Sequence, residues 1–245
     1  MSAVLKPSAE RQLREQLAGA YRVADHLGWS ELIYTHISVR VPGPEHHFLI
    51  NPYGLRFDEV TASSLVKVTA EGETVGQQAY KANKAGFIIH SAIHMARPDA
   101  ICVWHMHTLA GMAVSAQEEG LLPVHMYSHN FWQRISYHDF EGPSMRLDER
   151  GRLVKSLGSQ SALILRNHGL LTVGRTIPDA FIRFWRLNRS CEIQLAAQAS
   201  GLRVPSPAVC EASYQMGEEF LTDQADVGQL EFDSILRKLG DNYKN

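Results

Sequence analysis

The sequence predicts a single three-layer domain of the α/β or α+β class. Segments with helical apolar spacing alternate with short, continuous apolar runs suited to buried strands. No internal repeat or low-complexity tract interrupts them, and no stretch reads as an interdomain linker.

After a frayed end at 1–7, Leu13, Leu17, Ala20, Tyr21, Ala24 and Leu27 recur at helical spacing. They predict a helix over 8–28, started near Ser8 and Gln12 and ended by Gly28. Two β-like runs follow, Thr35–Val41 and His47–Ile50, with the breaker VPGPEH between them. Asn51-Pro52-Tyr53-Gly54 is a turn, and 61–80 alternates apolar runs with Glu-Gly punctuation as two edge strands would. Lys84–Ala96 has a helical pattern with Phe87, Ile88, Ala92 and Met95 near one face, stopped by Arg97-Pro98-Asp99. Ala100–Met106 is long enough and apolar enough for a buried strand, and Thr108–Ala116 reads as a helix directly after it. Arg146–Leu157 reads as a polar surface helix. Ser161–Leu165 and Leu170–Val173 read as strands joined by Arg166-Asn167-His168-Gly169. Pro178 suits the first turn of a long helix to about Ser200, with Phe181, Phe184, Trp185, Cys191 and Leu195 on a broad apolar side. Residues 205–220 read as irregular and about 225–239 as a short helix. The expectation is one domain over 1–245, with 205–245 an extension or arm.

Composition excludes several function classes. With 24 Lys+Arg against 26 Asp+Glu, the net charge of −2 argues against nucleic acid or anionic membrane as a partner. No apolar run is long enough to span a bilayer, and MSAVLKPSAERQ has no secretory apolar core. Cys102, Cys191 and Cys210 are too few and scattered for a disulfide framework, so a reducing, cytoplasmic setting is expected.

The unusual number is twelve histidines, seven of them between His90 and His138. His105-Met106-His107 ends the central apolar run. In an extended segment alternate side chains share a side, so both imidazoles, about 6–7 Å apart at Cα, can face one cation while Met106 faces the core. A catalytic divalent site needs a third ligand and an open position. His168 is the best candidate: it ends a second buried strand, and Gly169 after it permits close approach.

At these residues the chain resembles the class II aldolase/adducin family, over about 10–200. The resemblance rests on HISVRVPG at 36–43, INPYGLRFDEVTASSLVKV at 50–68, HSAIHMARPDAICVWHMHT at 90–108, GLLPV at 120–124, YHDFEG at 137–142 and LILRNHGLLTVG at 163–174. The texture is closest to the adducin-like bacterial branch. The resemblance implies an α/β/α fold around a central mixed sheet. It also implies a homo-oligomeric ring, usually a tetramer, with active sites between neighbouring subunits. His105, His107 and His168 would hold a divalent metal, most often Zn, with Fe, Mn or Co as other occupants. In the aldolases that metal acts as a Lewis acid and stabilises an enediolate.

Two departures stand out. The family's proton-shuttling glutamate falls at Gly86, and glycine cannot transfer a proton. The phosphate cradle of the sugar-phosphate members, a Gly-Asn turn and small hydroxyl residues, reads here as Thr35-His36 and Lys84-Ala85. The expected substrate is therefore a small molecule that is not a sugar phosphate, with Lys84 available to an anion. Tyr127, four residues after Pro123, matches the spacing of a tyrosine that protonates the leaving group in some aldolases; His125 and His129 flank it, and together they suit a polar, aromatic-rimmed pocket wall with His129 as a substrate contact. Asn51, Tyr53 and Gly54 match the substrate-side loop, although Asn51 and Gly54 also suit any tight turn. His90 and His94 have helical chelating spacing but lack the glutamate of an HExxH site, and read as packing residues. His138 could pair with Asp139, and Arg183, Arg186 and Arg189 read as a solvated or subunit-facing stripe.

The leading expectation is a metal-dependent lyase acting by aldol cleavage or decarboxylation on a small, non-phosphorylated hydroxy- or oxo-acid. The alternatives are a non-haem Fe(II) oxygenase acting on a 2-oxo acid and a non-catalytic, adducin-head-like assembly module.

Overall fold

A computed structural model of the chain describes residues 8–82, 84–142, 148–222 and 226–245, the side chains at 84, 85, 88 and 222 excepted. The expected frayed end at 1–7, the start of the helix expected from Arg146 and the side chain of Lys84 lie outside the described residues.

Seven strands form one mixed sheet: β1 (His36–Arg40), β2 (Phe48–Ile50), β3 (Val66–Val68), β4 (Cys102–Met106), β5 (Ser136–His138), β6 (Ala162–Leu165) and β7 (Gly169–Gly174). Their order is β3-β2-β1-β4-β7-β6-β5, antiparallel throughout except for the parallel pair β5 and β6. The described helices are α1 (Ala9–His26), α2 (Lys84–Ala96), α3 (Leu109–Ser115), α4 (Met126–His129), α5 (Glu149–Leu157), α6 (Ile177–Gln198), α7 (Pro207–Thr222) and α8 (Gln229–Leu239).

The central strands are apolar on both faces because both are covered. Cys102, Trp104 and Met106 of β4 join a core with Ile37, Val39 and Leu170 and with Tyr21 of α1, Phe181 and Phe184 of α6 and Phe232 of α8. Val103, Leu163, Leu171 and Val173 face the other way, onto Ile89 and Ile93 of α2 and Leu153 and Leu157 of α5. The result is the expected α/β/α sandwich. Side-chain caps fix the helix starts: Ser8 Oγ accepts from Arg11 N–H for α1, and Thr176 Oγ1 from Asp179 N–H for α6, with Pro178 in its first turn.

Three segments differ from the sequence expectation. Residues 61–80 supply one strand, β3, plus an isolated bridge between Val68 and Thr74. The short α4 and β5 have too few residues to show any period. Residues 205–220, expected to be irregular, lie largely in α7. Its apolar residues are split between the interior (Cys210, Leu221) and solvent (Val209, Met216, Phe220), so no single stripe marks it. After α7 the chain returns to its own core: Phe232 packs on Phe181 with ring centroids 5.5 Å apart, and Tyr243 is buried near Gly19.

The registers assemble one functional edge. His36 pairs with His105 and Leu171 with His105, so the start of β1, the end of β4 and the start of β7 lie side by side. Ser38 pairs with Ile50, which brings the Asn51–Gly54 turn to the same edge, and a bridge from Pro52 to Ala82 brings the start of α2 there.

Candidate metal centre

Alternation along β4 turns His105 toward the α2 side of the sheet, while Met106 is fully buried in the opposite core. His168 sits in the β6–β7 turn. Asn167 before it takes φ +55°, a left-handed conformation that asparagine tolerates. Gly169 after it is sterically required: a Cβ there would stand 2.7 Å from the Met106 carbonyl oxygen. The turn thus lies flat against β4 and delivers His168 to the pair. One ring nitrogen each from His105, His107 and His168 lies within 4.8 Å of the others, and the three ring centroids are 4.8–4.9 Å apart.

Hydrogen bonds fix which nitrogens converge. His105 Nδ1 is 2.9 Å from the Leu170 carbonyl, which can only accept, so Nδ1 carries the proton. His107 Nδ1 donates to the Glu31 carboxylate at 2.6 Å. With both rings neutral, both Nε2 atoms present lone pairs, and they face each other at 3.1 Å. A cation between two such lone pairs fits the geometry. Two imidazoles on tetrahedral Zn²⁺, with Zn–N about 2.0–2.1 Å, hold their nitrogens about 3.3 Å apart. Burial foremost, then the neighbouring His107, holds His168 down to about 4; burial likewise holds His105 well below the ordinary histidine range. Neutral rings are the ligating form. The donor set fits a divalent metal, and Glu31 is the carboxylate behind a ligand that such sites use to orient it.

Glu31 was not legible in the sequence, since 76 residues separate it from His107. The same holds for His36. Gly86, where the resemblance implies the family's glutamate, lies against His36. A Cβ on Gly86 would lie 2.2 Å from His36 Nε2, so the imidazole fills the space where that side chain would begin. Thr35 beside it has φ +64°, a left-handed conformation that is rare for a β-branched residue and free to the glycine of the family's Gly-Asn turn.

The other expected site residues are placed as follows. Asn51 is at the functional edge, 3% exposed, with Oδ1 3.0 Å from the Tyr21 hydroxyl. Gly54 takes φ +102° in the exposed turn at that edge. Tyr127 stands apart from the triad: its ring packs edge-on to Trp185 at 5.2 Å and lines a cavity of about 310 Å³ with Phe181, Arg186, Glu231 and Ile235. Arg186 is partly buried in that cavity wall, with no hydrogen-bond partner for Nη1 among the described residues, so of the expected solvated or subunit-facing stripe it is not a solvated member. His129 has both ring nitrogens engaged, 3.0 Å from Ser213 Oγ and 3.3 Å from the Pro123 carbonyl. His138 meets Ser156 Oγ at 3.0 Å and Glu149 at 3.5 Å; the expected Asp139 pairing is replaced by these. His90 and His94 are fully buried packing residues, as expected. A cavity of about 490 Å³ beside the start of α6 contains none of the triad, and a pocket touching His168 measures about 10 Å³. Within the triad His105 is buried and His107 and His168 are half-buried.

The model of the Class II Aldolase and Adducin N-terminal domain matches residues 15–195. An aldolase II superfamily protein from Pseudomonas syringae superposes with a TM-score of 0.91 at 42% identity, covering 98% of each chain. The L-fuculose 1-phosphate aldolase from Glaciozyma antarctica follows at 0.80 and 30% identity, covering 100% of this chain and 97% of that one. Rat alpha-adducin is 48% identical over 194 residues, 78% of this chain, which corresponds to only 26% of alpha-adducin's own length. The chain belongs to the class II aldolase and adducin N-terminal domain family.

Proposed function

We propose that this protein is a metal-dependent lyase that cleaves or decarboxylates a small, non-phosphorylated hydroxy- or oxo-acid. The observation that carries this reading is the convergence of ring nitrogens from His105, His107 and His168 within 4.8 Å of one another. A divalent metal there, with zinc our first choice, supplies Lewis acidity toward substrate oxygens. The chain's own residues do the rest. Glu31 and the Leu170 carbonyl orient two ligands, and the Asn51–Gly54 turn and Lys84 form the substrate side of the edge. Tyr127 serves as the catalytic residue and His129 as a substrate contact, both presented to the triad of a neighbouring subunit. The placement of Tyr127 in a cavity without any triad residue favours a ring, for which we take a tetramer. We take the chain as one domain whose residues 205–245 form an extension, in a reducing cytoplasm consistent with three free, buried cysteines. No described helix is long and apolar enough to cross a membrane.

The test is elemental analysis of protein purified without chelator, light scattering for subunit number, and turnover of hydroxy- and oxo-acids beside L-fuculose 1-phosphate. Stoichiometric metal with turnover of an unphosphorylated acid supports the proposal; preferred cleavage of the sugar phosphate overturns its substrate half. The adducin match favours a second reading, a non-catalytic assembly module. Metal-free protein that still assembles would select that reading.

A further inference from the structure

Behind the triad lie four buried polar side chains that the site as described does not use: His36, Ser38, His90 and His94, all between 0 and 6% exposed. They form one hydrogen-bonded chain. His94 Nδ1 is 2.7 Å from the Ala100 carbonyl, and His94 Nε2 is 2.7 Å from Ser38 Oγ. Ser38 Oγ is 2.7 Å from His90 Nδ1, and His90 Nε2 is 2.8 Å from His36 Nδ1.

The direction of every link follows from its far end. A carbonyl only accepts, so His94 Nδ1 carries the proton and Nε2 is bare. Ser38 spends its only hydrogen on that nitrogen and must accept from His90 Nδ1–H. His90 Nε2 is then bare and accepts from His36 Nδ1–H. The chain ends at His36 Nε2 as a lone pair. No described residue hydrogen-bonds to it; it stands at Gly86, and its ring lies 5.2 Å from that of His105. An apolar set would fill this interior at less cost, because buried polar groups need complete satisfaction. What the polar chain adds is a single defined state for His36.

We propose that His36 Nε2, held in one tautomer by Ser38, His90 and His94, accepts a hydrogen bond from a substrate hydroxyl beside the metal triad. It offers an acceptor where a side chain of residue 86 would begin, in place of the carboxylate that position 86 cannot carry. This rests on the metal-dependent reading above and narrows its substrate to a 2-hydroxy acid. A bare nitrogen rewards a hydroxyl donor and gains nothing from a ketone. Exchanging an anionic glutamate for a neutral ring also removes repulsion toward the substrate's carboxylate. Ser38, His90 and His94 are positioning residues.

The test uses zinc-loaded full-length protein with lactate and pyruvate as paired probes, binding measured by calorimetry and the His36 nitrogens read by ¹⁵N NMR. Wild type should show an unprotonated Nε2 and bind lactate roughly five- to tenfold more tightly than pyruvate. His36→Phe should abolish that preference with bound zinc unchanged, and His36→Gln, whose amide oxygen still accepts, should retain part of it. Ser38→Ala should leave His36 in mixed tautomers and shrink the preference. A protonated Nε2 in wild type, equal or absent binding of the two probes, or a preference that survives His36→Phe overturns the proposal. Unchanged tautomer and preference in Ser38→Ala overturn the positioning chain. Failure of wild type to hold zinc is a distinct result: it removes the metal-dependent reading and the substrate assignment with it, while the NMR signal still reports on the chain.

Discussion

Gly86→Ala tests the steric pairing of positions 36 and 86. The added Cβ would lie 2.2 Å from His36 Nε2, more than 1 Å inside ordinary van der Waals contact. The ring has little room to retreat, because Nδ1 is bonded to His90 at 2.8 Å and the ring packs against His105. Overpacking of this kind costs about 1–3 kcal/mol. Against it, alanine is favoured over glycine in a helix by up to about 1 kcal/mol. Gly86→Ala should therefore destabilise the wild type by up to about 2 kcal/mol. With His36→Ala in the background the clash is gone, and the same change should stabilise by up to about 1 kcal/mol. Urea unfolding of the four proteins gives the coupling, expected at about 1–3 kcal/mol. Coupling below about 0.5 kcal/mol would refute the claim that His36 occupies the space of a residue-86 side chain.

Other expectations follow from the same geometry. Glu31→Ala removes the acceptor behind His107 and should weaken zinc binding about 10- to 100-fold by chelator competition; the half-exposed pair should shift metal-free stability by less than about 1 kcal/mol. Burial, foremost, holds His94 down to about 3, so the unfolded chain binds the extra proton between that value and about 6.5. Stability is then full above about pH 6.5 and is lost as pH falls toward 3, at up to about 1.4 kcal/mol per pH unit per such histidine; His94→Gln should flatten the measured slope by about one proton. Trp104, fully buried among Trp29, Phe181 and Phe184, should cost about 3–5 kcal/mol when cut to alanine in denaturant titrations. Tyr127→Phe should lower turnover and leave bound metal unchanged; unaltered turnover would remove Tyr127 from the chemistry.

The fold was largely legible because its signals are local. The strand over Ala100–Met106 is apolar on both faces and appears as β4, and Pro178 with the apolar side of the long helix marks α6. The clustering of the three histidines was legible too: strand alternation puts His105 and His107 together, and a strand end followed by glycine points to His168. What escaped depends on long-range packing. Nothing near Glu31 signals that it will meet His107, and nothing near His36 signals that its ring will take the place of a side chain fifty positions away. The residues at 36 and 86 looked independent in the sequence; in three dimensions they are packed against each other. The helix α7 escaped for a different reason, since Val209, Met216 and Phe220 face outward and blur its stripe. Tyr127 illustrates a further limit: its spacing from Pro123 is a local signal, but its cavity lies away from the triad of its own chain.

The most direct test of the central claim is a zinc titration of metal-free protein at neutral pH, wild type beside His168→Ala. We predict one ion bound per chain in the wild type and affinity at least about 100-fold weaker in the variant, with both proteins folded by circular dichroism. Equal affinity in the two proteins, or no stoichiometric binding in the wild type, would contradict a metal centre built on His105, His107 and His168.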